Sequence, residues 1–213
     1  MSRELKVKQI IINILNDDER LVCLSKTHNS ESMYVTLLNE SQRYITFRIS
    51  NHEAYSGFLS VPTFVLSKSN SLGPVIRDYL DKASWFNVDY SSYFMMSVIK
   101  HSQSHKISFQ IDDLYSAFSD EKQGMVFYEV HNYHSHNKKS ITANGLDEDV
   151  NQIMRKLYST SLISSYKKGD GELLIFLSES GFRLLDIFSK NYINKFVSDY
   201  ENIRWNDINL PNN

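Results

Sequence analysis

Three side chains that can bind an anion follow one another closely in the segment YITFRISNHEA. Arg48, Asn51 and His52 can each donate hydrogen bonds, and a guanidinium beside an imidazole suits a phosphate or carboxylate. The segment alternates as a β-strand does, so Arg48 is expected on the face opposite its aromatic neighbour, with the polar residues just past the strand end. These residues are therefore predicted to bind a partner. The alternative is that Arg48 pairs with an acid such as Glu40 or Glu53 while Asn51 caps a turn.

The phrase HNYHSH contains the densest cluster of histidines in the chain. On a helix His131 and His134 share a face, whereas on a strand His134 and His136 do. The phrase contains no acidic ligand, and a solvated helix end explains it as well as a metal site does.

Acid–base cleavage of RNA needs only two suitably placed groups around a 2′-hydroxyl, so an RNA-directed hydrolase is a further alternative. His52, His101 and His105 are its candidate residues. The sequence has neither a glycine-rich phosphate loop nor a GxSxG nucleophile motif. We therefore expect a binding protein without metal or cofactor rather than an enzyme.

Basic residues recur in the second half of the chain, on a helix and a hairpin that follow each other. The segment Asp147–Leu162 has apolar residues at helical spacing and carries Arg155 and Lys156. Two β-like runs come next, separated by the tight-turn signal GDG, with Lys167 and Lys168 immediately before it. These four basic residues are predicted to bind nucleic acid.

The order of these elements resembles the second half of a winged-helix domain. In that family the recognition helix ends in a small-Leu-Ile phrase, a wing hairpin follows, and an LTxxG-like phrase opens the last helix. The matching phrases here are SLI after the helix, KKGDG at the hairpin and LSESG after it. The resemblance covers about residues 147–190, and its weight lies in the order and spacing of the phrases.

The winged-helix resemblance implies a DNA-binding regulator. The helix around Asn151, Arg155 and Lys156 would enter a groove, and the wing lysines Lys167 and Lys168 would contact phosphate. Two features depart from the family: the acidic run DED at the start of the helix, and the short distance in which a second helix would have to fit. A winged-helix shape used for protein packing or dimerisation is the alternative.

The phrase RISNHEA resembles the Arg-Leu-Ser-Asn-His-x-Ala segment of small phage inhibitors of the Cas9 type of CRISPR effector. A looser form, Arg-Ile-Ser-Asp-His, occurs in other mobile-element proteins. The resemblance rests on Arg48, Ser50, Asn51, His52 and Ala54. It implies a phage or plasmid protein that counters host defence by binding a nucleoprotein such as a CRISPR effector.

The bulk composition limits the classes of function. The 213 residues carry a formal net charge of −2 and a pI near 6.4, so any nucleic-acid contact must come from a local patch. The single cysteine, Cys23, is expected to be buried and excludes a disulfide within the chain. No apolar run reaches the ~20 residues that span a bilayer, and the first residues do not read as a secretion signal. A cytoplasmic protein without membrane contact is expected, and its near-neutral, aromatic-rich chain is compatible with a homodimer.

Amphipathic helices are predicted at several places in the chain. Arg3–Asn16 has Leu5, Ile11, Ile12 and Leu15 on its expected buried side, although the isoleucine-rich Val7–Leu15 also fits a strand. The expected buried side of the next helix carries Val75, Ile76, Tyr79 and Leu80. The further predicted helices are Leu72–Lys82, Tyr90–Lys100, Asp112–Phe118 and the closing helix Phe182–Val197.

Strands are predicted mainly in the first half, joined by turn-rich segments into an antiparallel meander with an edge strand at Pro62. The polar run Asp120–Gly124 is the predicted boundary between an α+β meander domain at 1–120 and a winged-helix-like domain at 121–213. The predicted fold class is therefore α+β, an N-terminal antiparallel sheet with helices plus a C-terminal winged-helix-like domain. The strands are Arg20–Ser25, Met33–Leu38, Tyr44–Ile49, Val61–Leu66 and Ile107–Ile111.

These patterns together predict a phage or plasmid protein that binds nucleic acid or a protein–nucleic acid complex, with an anti-CRISPR-like counter-defence role. The first alternative is a winged-helix transcriptional regulator that binds DNA. The second is the RNA-directed hydrolase.

Overall fold

The computed structural model describes the chain in ten stretches that form two compact units. Unit 1 is Met1–Val88 with Ser159–Ser161, and unit 2 is Asp89–Tyr158 with Leu162–Asn213. The predicted boundary at 120–124 lies outside the described residues. None of the described helices is long and apolar enough to cross a membrane. The described stretches are 2–26, 31–52, 61–66, 71–104, 108–110, 127–130, 138–141, 150–167, 173–201 and 205–208.

Unit 1 is built on a five-stranded sheet. Strands β1 (Glu19–Lys26), β2 (Met33–Asn39) and β3 (Arg43–Ser50) pair antiparallel in sequence order, which confirms the predicted meander. The edge strand β4 (Thr63–Val65) pairs with the end of β3 in parallel, and β5 (Phe86–Asn87) pairs with its beginning antiparallel. An antiparallel sheet was predicted, and the parallel pairing of β3 with β4 departs from that prediction.

Two helices cover one face of this sheet. Helix α1 (Arg3–Ile12) is capped by Ser2, whose hydroxyl accepts the Leu5 N–H. The strand alternative for this segment is therefore wrong. Helix α2 (Leu72–Lys82) has the predicted bounds. Alternate residues of β2 and β3 face the helices because side chains of a strand alternate between its two faces. The resulting core contains Val7, Ile11, Met33, Val35, Leu37, Ile45, Phe47, Ile49, Leu66, Leu72, Ile76 and Leu80.

The buried stripes of both helices are narrower than predicted. Leu5, Ile12 and Val75 are 47%, 53% and 51% exposed. Ile12 follows the buried Ile11, and successive residues of a helix lie about 100° apart around its axis. A hydrophobic residue beside the buried stripe thus points away from the sheet, and isoleucine-rich runs overstate the buried side.

Unit 2 contains helices α3 (Tyr90–Ser104), α4 (Val150–Ser159) and α5 (Glu179–Glu201). Its strands are β6 (Ser108–Gln110), β7 (Phe127–Val130), β8 (Lys138–Ile141), β9 (Ile163–Lys167), β10 (Leu173–Leu177) and β11 (Trp205–Ile208). They form one antiparallel sheet in the order β11-β8-β7-β6-β10-β9. Mixed helices and sheets in both units confirm the α+β class.

Several local predictions for unit 2 are confirmed. β9 and β10 form the predicted hairpin, with Ile163 opposite Leu177 and Lys167 opposite Leu173. The closing helix is continuous as α5. The helix predicted at Asp112–Phe118 lies outside the described residues.

Aromatic side chains join α3 to α5 in unit 2. Tyr93 and Phe94 of α3 contact Tyr192 and Phe196 of α5, with ring centroids 5.3 Å apart for Tyr93–Tyr192 and 5.4 Å apart for Phe94–Phe196. Such tilted and edge-on pairs add to the stabilisation from apolar burial. Part of the high aromatic content thus holds α3 against α5.

Candidate functional site

Arg48 lies on β3 with its guanidinium held by two serines. Its Nε donates to Ser32 Oγ at 2.8 Å, and its Nη2 donates to Ser50 Oγ at 3.4 Å. Both serines are buried. Arg48 is on the sheet face opposite Phe47, as predicted, and stands across from Tyr34 near the start of β2. The alternative partner Glu40 follows the other end of β2, so the antiparallel register separates it from Arg48.

Side-chain hydrogen bonds hold the two residues that follow β3. Ser50 Oγ also accepts the His52 N–H at 3.3 Å, which holds the turn that follows the strand. Asn51 Nδ2 donates to Glu31 Oε2 at 2.7 Å. His52 Nε2 is 3.8 Å from the same Glu31 oxygen, and its side chain is 81% exposed. The predicted residues Arg48, Asn51 and His52 therefore lie at one place in unit 1.

The structure adds two residues that the sequence patterns did not indicate, Arg3 and Glu31. Arg3 Nη1 is 3.6 Å from Glu31 Oε2. Arg3 opens α1 and Glu31 precedes β2, so only the fold brings them to the end of β3. We name this group the β3-end cluster: Arg3, Glu31, Ser32, Arg48, Ser50, Asn51 and His52.

The other predicted basic residues belong to unit 2, at a succession of α4, β9, β10 and the start of α5 that we name the helix–hairpin platform. Helix α4 ends in a Schellman arrangement, with the Leu162 N–H donating to the Leu157 carbonyl at 2.8 Å. Ser161 lies between them with a φ of 56°, and both leucines are fully buried. The SLI phrase thus supplies the helix stop and its hydrophobic contact.

The phrase LSESG has an equally definite role at the start of α5. The Ser178 N–H and Oγ both donate to the Leu162 carbonyl, at 3.0 and 3.1 Å. Ser178 Oγ in turn accepts the Gly181 N–H at 3.1 Å, which caps the helix. The end of the hairpin and the end of α4 are therefore joined at one carbonyl group.

The basic residues of the platform differ in their surroundings. Arg155 is half-buried on α4. The Lys156 ammonium forms an ion pair with Asp89, their side chains being 21% and 34% exposed. Lys167 is the last residue of β9. Lys168 and Asn151 are the remaining predicted contact residues; Lys168 and the side chain of Asn151 lie outside the part that the structure describes.

Asp89 both caps the start of α3 and forms the ion pair with Lys156. Its Oδ1 accepts the Ser92 N–H at 2.8 Å, an N-cap, while Oδ2 binds Lys156. Burial acts to raise the pKa of Asp89, but hydrogen bonds from Lys156 and Ser92 outweigh it and hold this pKa below its ordinary value. The ionised carboxylate therefore stabilises unit 2.

We expect Asp89→Asn to lower the free energy of unfolding at pH 7 by about 1 kcal/mol, since asparagine keeps the cap and loses only the ion pair. A lowered folded-state pKa contributes stability above the unfolded pKa of about 3.9, and this is lost as pH falls through the folded pKa. Denaturant unfolding from pH 7 to pH 2 should show the two proteins converging in acid. A constant gap across this range would contradict the assignment.

Among the described residues no group of three or more His, Cys, Asp or Glu side chains is arranged to hold a metal ion. His131, His134, His136 and His105 lie outside the described residues, as does the side chain of His101. Cys23 is buried, as predicted, with 4% of its surface exposed.

Comparison of the chain with protein-family models, with curated proteins and with solved structures gives no match.

Proposed function

We propose that unit 2 is a winged-helix-like domain that binds nucleic acid or a nucleoprotein through its hairpin. The observation that carries this proposal is the junction at the Leu162 carbonyl, where α4, the hairpin and α5 meet through Ser178. The phrases SLI and LSESG, which suggest the family, are the ones that build this junction.

The strand order of unit 2 supports the same interpretation. In a winged-helix domain a third strand, which follows the first helix, pairs with the second strand of the wing. Here β6 follows α3 and pairs with β10 through Leu174 and Gln110. β7, β8 and β11 extend the sheet beyond that pattern, so the domain would be an elaborated form of the family.

The charges favour contact through the hairpin rather than through the helix. Lys156 is engaged by Asp89, which weakens the case for α4 as a groove-binding helix. Lys167 is the last residue of β9 and Lys168 follows it in the sequence, so we propose that this end of the hairpin contacts phosphate. Phosphate contacts of this kind position a protein without reading sequence.

Replacing both wing lysines, Lys167→Ala with Lys168→Ala, should weaken binding to a DNA duplex and flatten its salt dependence. For every phosphate that the protein no longer neutralises, the slope of log affinity against log salt falls by roughly 0.9. Fluorescence anisotropy from about 50 to 300 mM salt measures this slope. The matched control is Lys6→Ala with Lys8→Ala, which removes the same charge from exposed positions of α1. A slope equal to that of the control would remove the hairpin from the binding surface.

The same titration decides between the classes of partner. A DNA-binding regulator should bind free duplex, whereas an anti-CRISPR-like protein of a phage or plasmid should bind a Cas9–guide complex more tightly than duplex. The second outcome would also assign a role to the β3-end cluster, since RISNHEA is the phrase that resembles the phage inhibitors. The RNA-directed hydrolase remains an alternative that rests on the histidine-bearing segments alone.

A further inference from the structure

Arg3 has a hydrogen-bonding edge that the described residues leave unused. Its Nε and Nη2 atoms are buried, and no described residue offers them an acceptor. These two nitrogens lie along the edge of the guanidinium that binds carboxylates and phosphates through two parallel hydrogen bonds. Buried donors without an acceptor are unfavourable, so Arg3 retains capacity for an anion.

Glu31 lies where such an anion would meet the other donors of the cluster. Its Oε2 accepts from Asn51 Nδ2 at 2.7 Å and lies 3.6 Å from Arg3 Nη1 and 3.8 Å from His52 Nε2. The Glu31 side chain is 58% exposed. Exposed ion pairs contribute little stability, so this carboxylate can leave the three donors at small cost.

We propose that Arg3, Asn51 and His52 form a binding site for a phosphate group, which Glu31 occupies as an internal competitor. A terminal phosphate offers three strong acceptor oxygens, where the donors now share a single carboxylate oxygen. In the place of Glu31 it can bind Arg3 Nη1, Asn51 and His52 through separate oxygens. Displaced Glu31 swings towards solvent.

The remaining residues of the cluster hold this site in place. Ser50 Oγ fixes the backbone of His52 and receives a hydrogen bond from Arg48, and Arg48 also binds Ser32. Arg48 is therefore a positioning residue rather than a phosphate ligand. A site held by its own strand ends requires little reordering when the ligand binds. The inference concerns unit 1 and does not depend on the function proposed for unit 2.

Titration of the whole chain with inorganic phosphate, followed by the side-chain amide resonances of Asn51, tests the site. Glu31→Gln should tighten phosphate binding by roughly fivefold, the factor that corresponds to one exposed ion pair. The matched control is Glu40→Gln, an exposed acid at the other end of β2, which makes the same charge change and should bind as wild type. Equal affinities of the two glutamine variants would overturn the competitor role.

Removal of the donors gives the complementary result. Arg3→Gln and the exposed Asn51→Ala should each weaken phosphate binding by roughly fivefold or more, as followed by calorimetry, and wild-type affinity in Asn51→Ala would refute the site. Short oligonucleotides with and without a 5′-phosphate identify the source of the phosphate. Tighter binding of the 5′-phosphorylated strand indicates a terminal phosphate, and equal binding indicates the nucleic-acid backbone.

Discussion

Replacement of Gly181 by alanine is expected to destabilise unit 2 by about 3 kcal/mol or more. A Cβ atom built at this position would lie 2.2 Å from the Leu162 carbonyl oxygen, far inside the contact distance. The obstacle is backbone, so rotation of a side chain cannot relieve it. The same carbonyl accepts both hydrogen bonds from Ser178, and separation of the segments would break them as well.

Urea unfolding monitored by far-ultraviolet circular dichroism measures this destabilisation. Gly73→Ala is the matched control, because Gly73 is also in the first turn of a helix but its added Cβ would meet only side-chain methyl groups, the nearest being that of Ile14 at 3.1 Å. Ile14 must shift by a few tenths of an ångström to admit this Cβ, while the better helix propensity of alanine contributes up to about 1 kcal/mol in the opposite direction, so the control variant should stay close to wild type in stability. If Gly181→Ala were as well tolerated as Gly73→Ala, the close junction of hairpin and helix would be wrong.

Removal of the Arg77 guanidinium is expected to be the second large effect. Arg77 Nη1 and Nη2 donate to the two carboxylate oxygens of Glu19 at 2.6 and 3.0 Å, and Nη1 also donates to the Ile14 carbonyl at 3.1 Å. The hydrogen bond with Glu19 holds the pKa of Arg77 above its ordinary value despite burial. The Glu19 side chain is only 6% exposed, so removal of the cation leaves a buried carboxylate without its ion-pair partner, although Glu19 Oε2 still accepts the Asn16 N–H at 3.1 Å.

We expect Arg77→Met to cost about 3 kcal/mol, the lower end of the range for broken buried pairs, because Arg77 itself is 20% exposed. Lys82→Met on the same helix is the control. Its pair with Asp78 is equally close, but the side chains are 72% and 65% exposed, and such pairs contribute under about 1 kcal/mol. Denaturant midpoints of the two variants should differ clearly; similar midpoints would show that the buried geometry adds nothing.

The double variant Glu19→Gln with Arg77→Met separates the pair from the packing around it. Removal of both charges should recover part of the lost stability, with a coupling of about 1–3 kcal/mol between the two sites. Arg77 Nε also donates to Asp81 Oδ1 at 3.0 Å. Strict additivity would mean that Arg77 acts only through its hydrogen bonds to Asp81 and to the Ile14 carbonyl.

Local patterns determined much of this fold. The alternation of β2 and β3, the helical spacing of Leu72–Lys82 and the pairing of β9 with β10 each depend on neighbours a few residues away, so they can be recognised without a fold. The α+β class follows from them. Side-chain exposure at Leu5 and Val75 did not follow, because the width of a buried helix face depends on what packs against it.

The phrases SLI and LSESG could be recognised in the sequence, but their structural role could not. Their order suggested a winged-helix domain, but only the tertiary structure relates Leu162 to Ser178 and Gly181 through one carbonyl. A short phrase can be recognised by its resemblance to a family. The reason why these residues are needed is a contact between two segments that the hairpin separates in the sequence.

The candidate site shows what the tertiary structure alone decided. Arg48, Asn51 and His52 are adjacent in the chain, so their types and spacing were enough to single them out. Glu31, which binds Asn51 and His52, and Arg3, which lies beside Glu31, are far away along the chain. Asp89 is equally remote in sequence from its partner Lys156. Polar contacts act over a few ångströms and leave no periodic pattern in the sequence. The sequence therefore indicates which side chains can donate hydrogen bonds, but their acceptors depend on the tertiary structure.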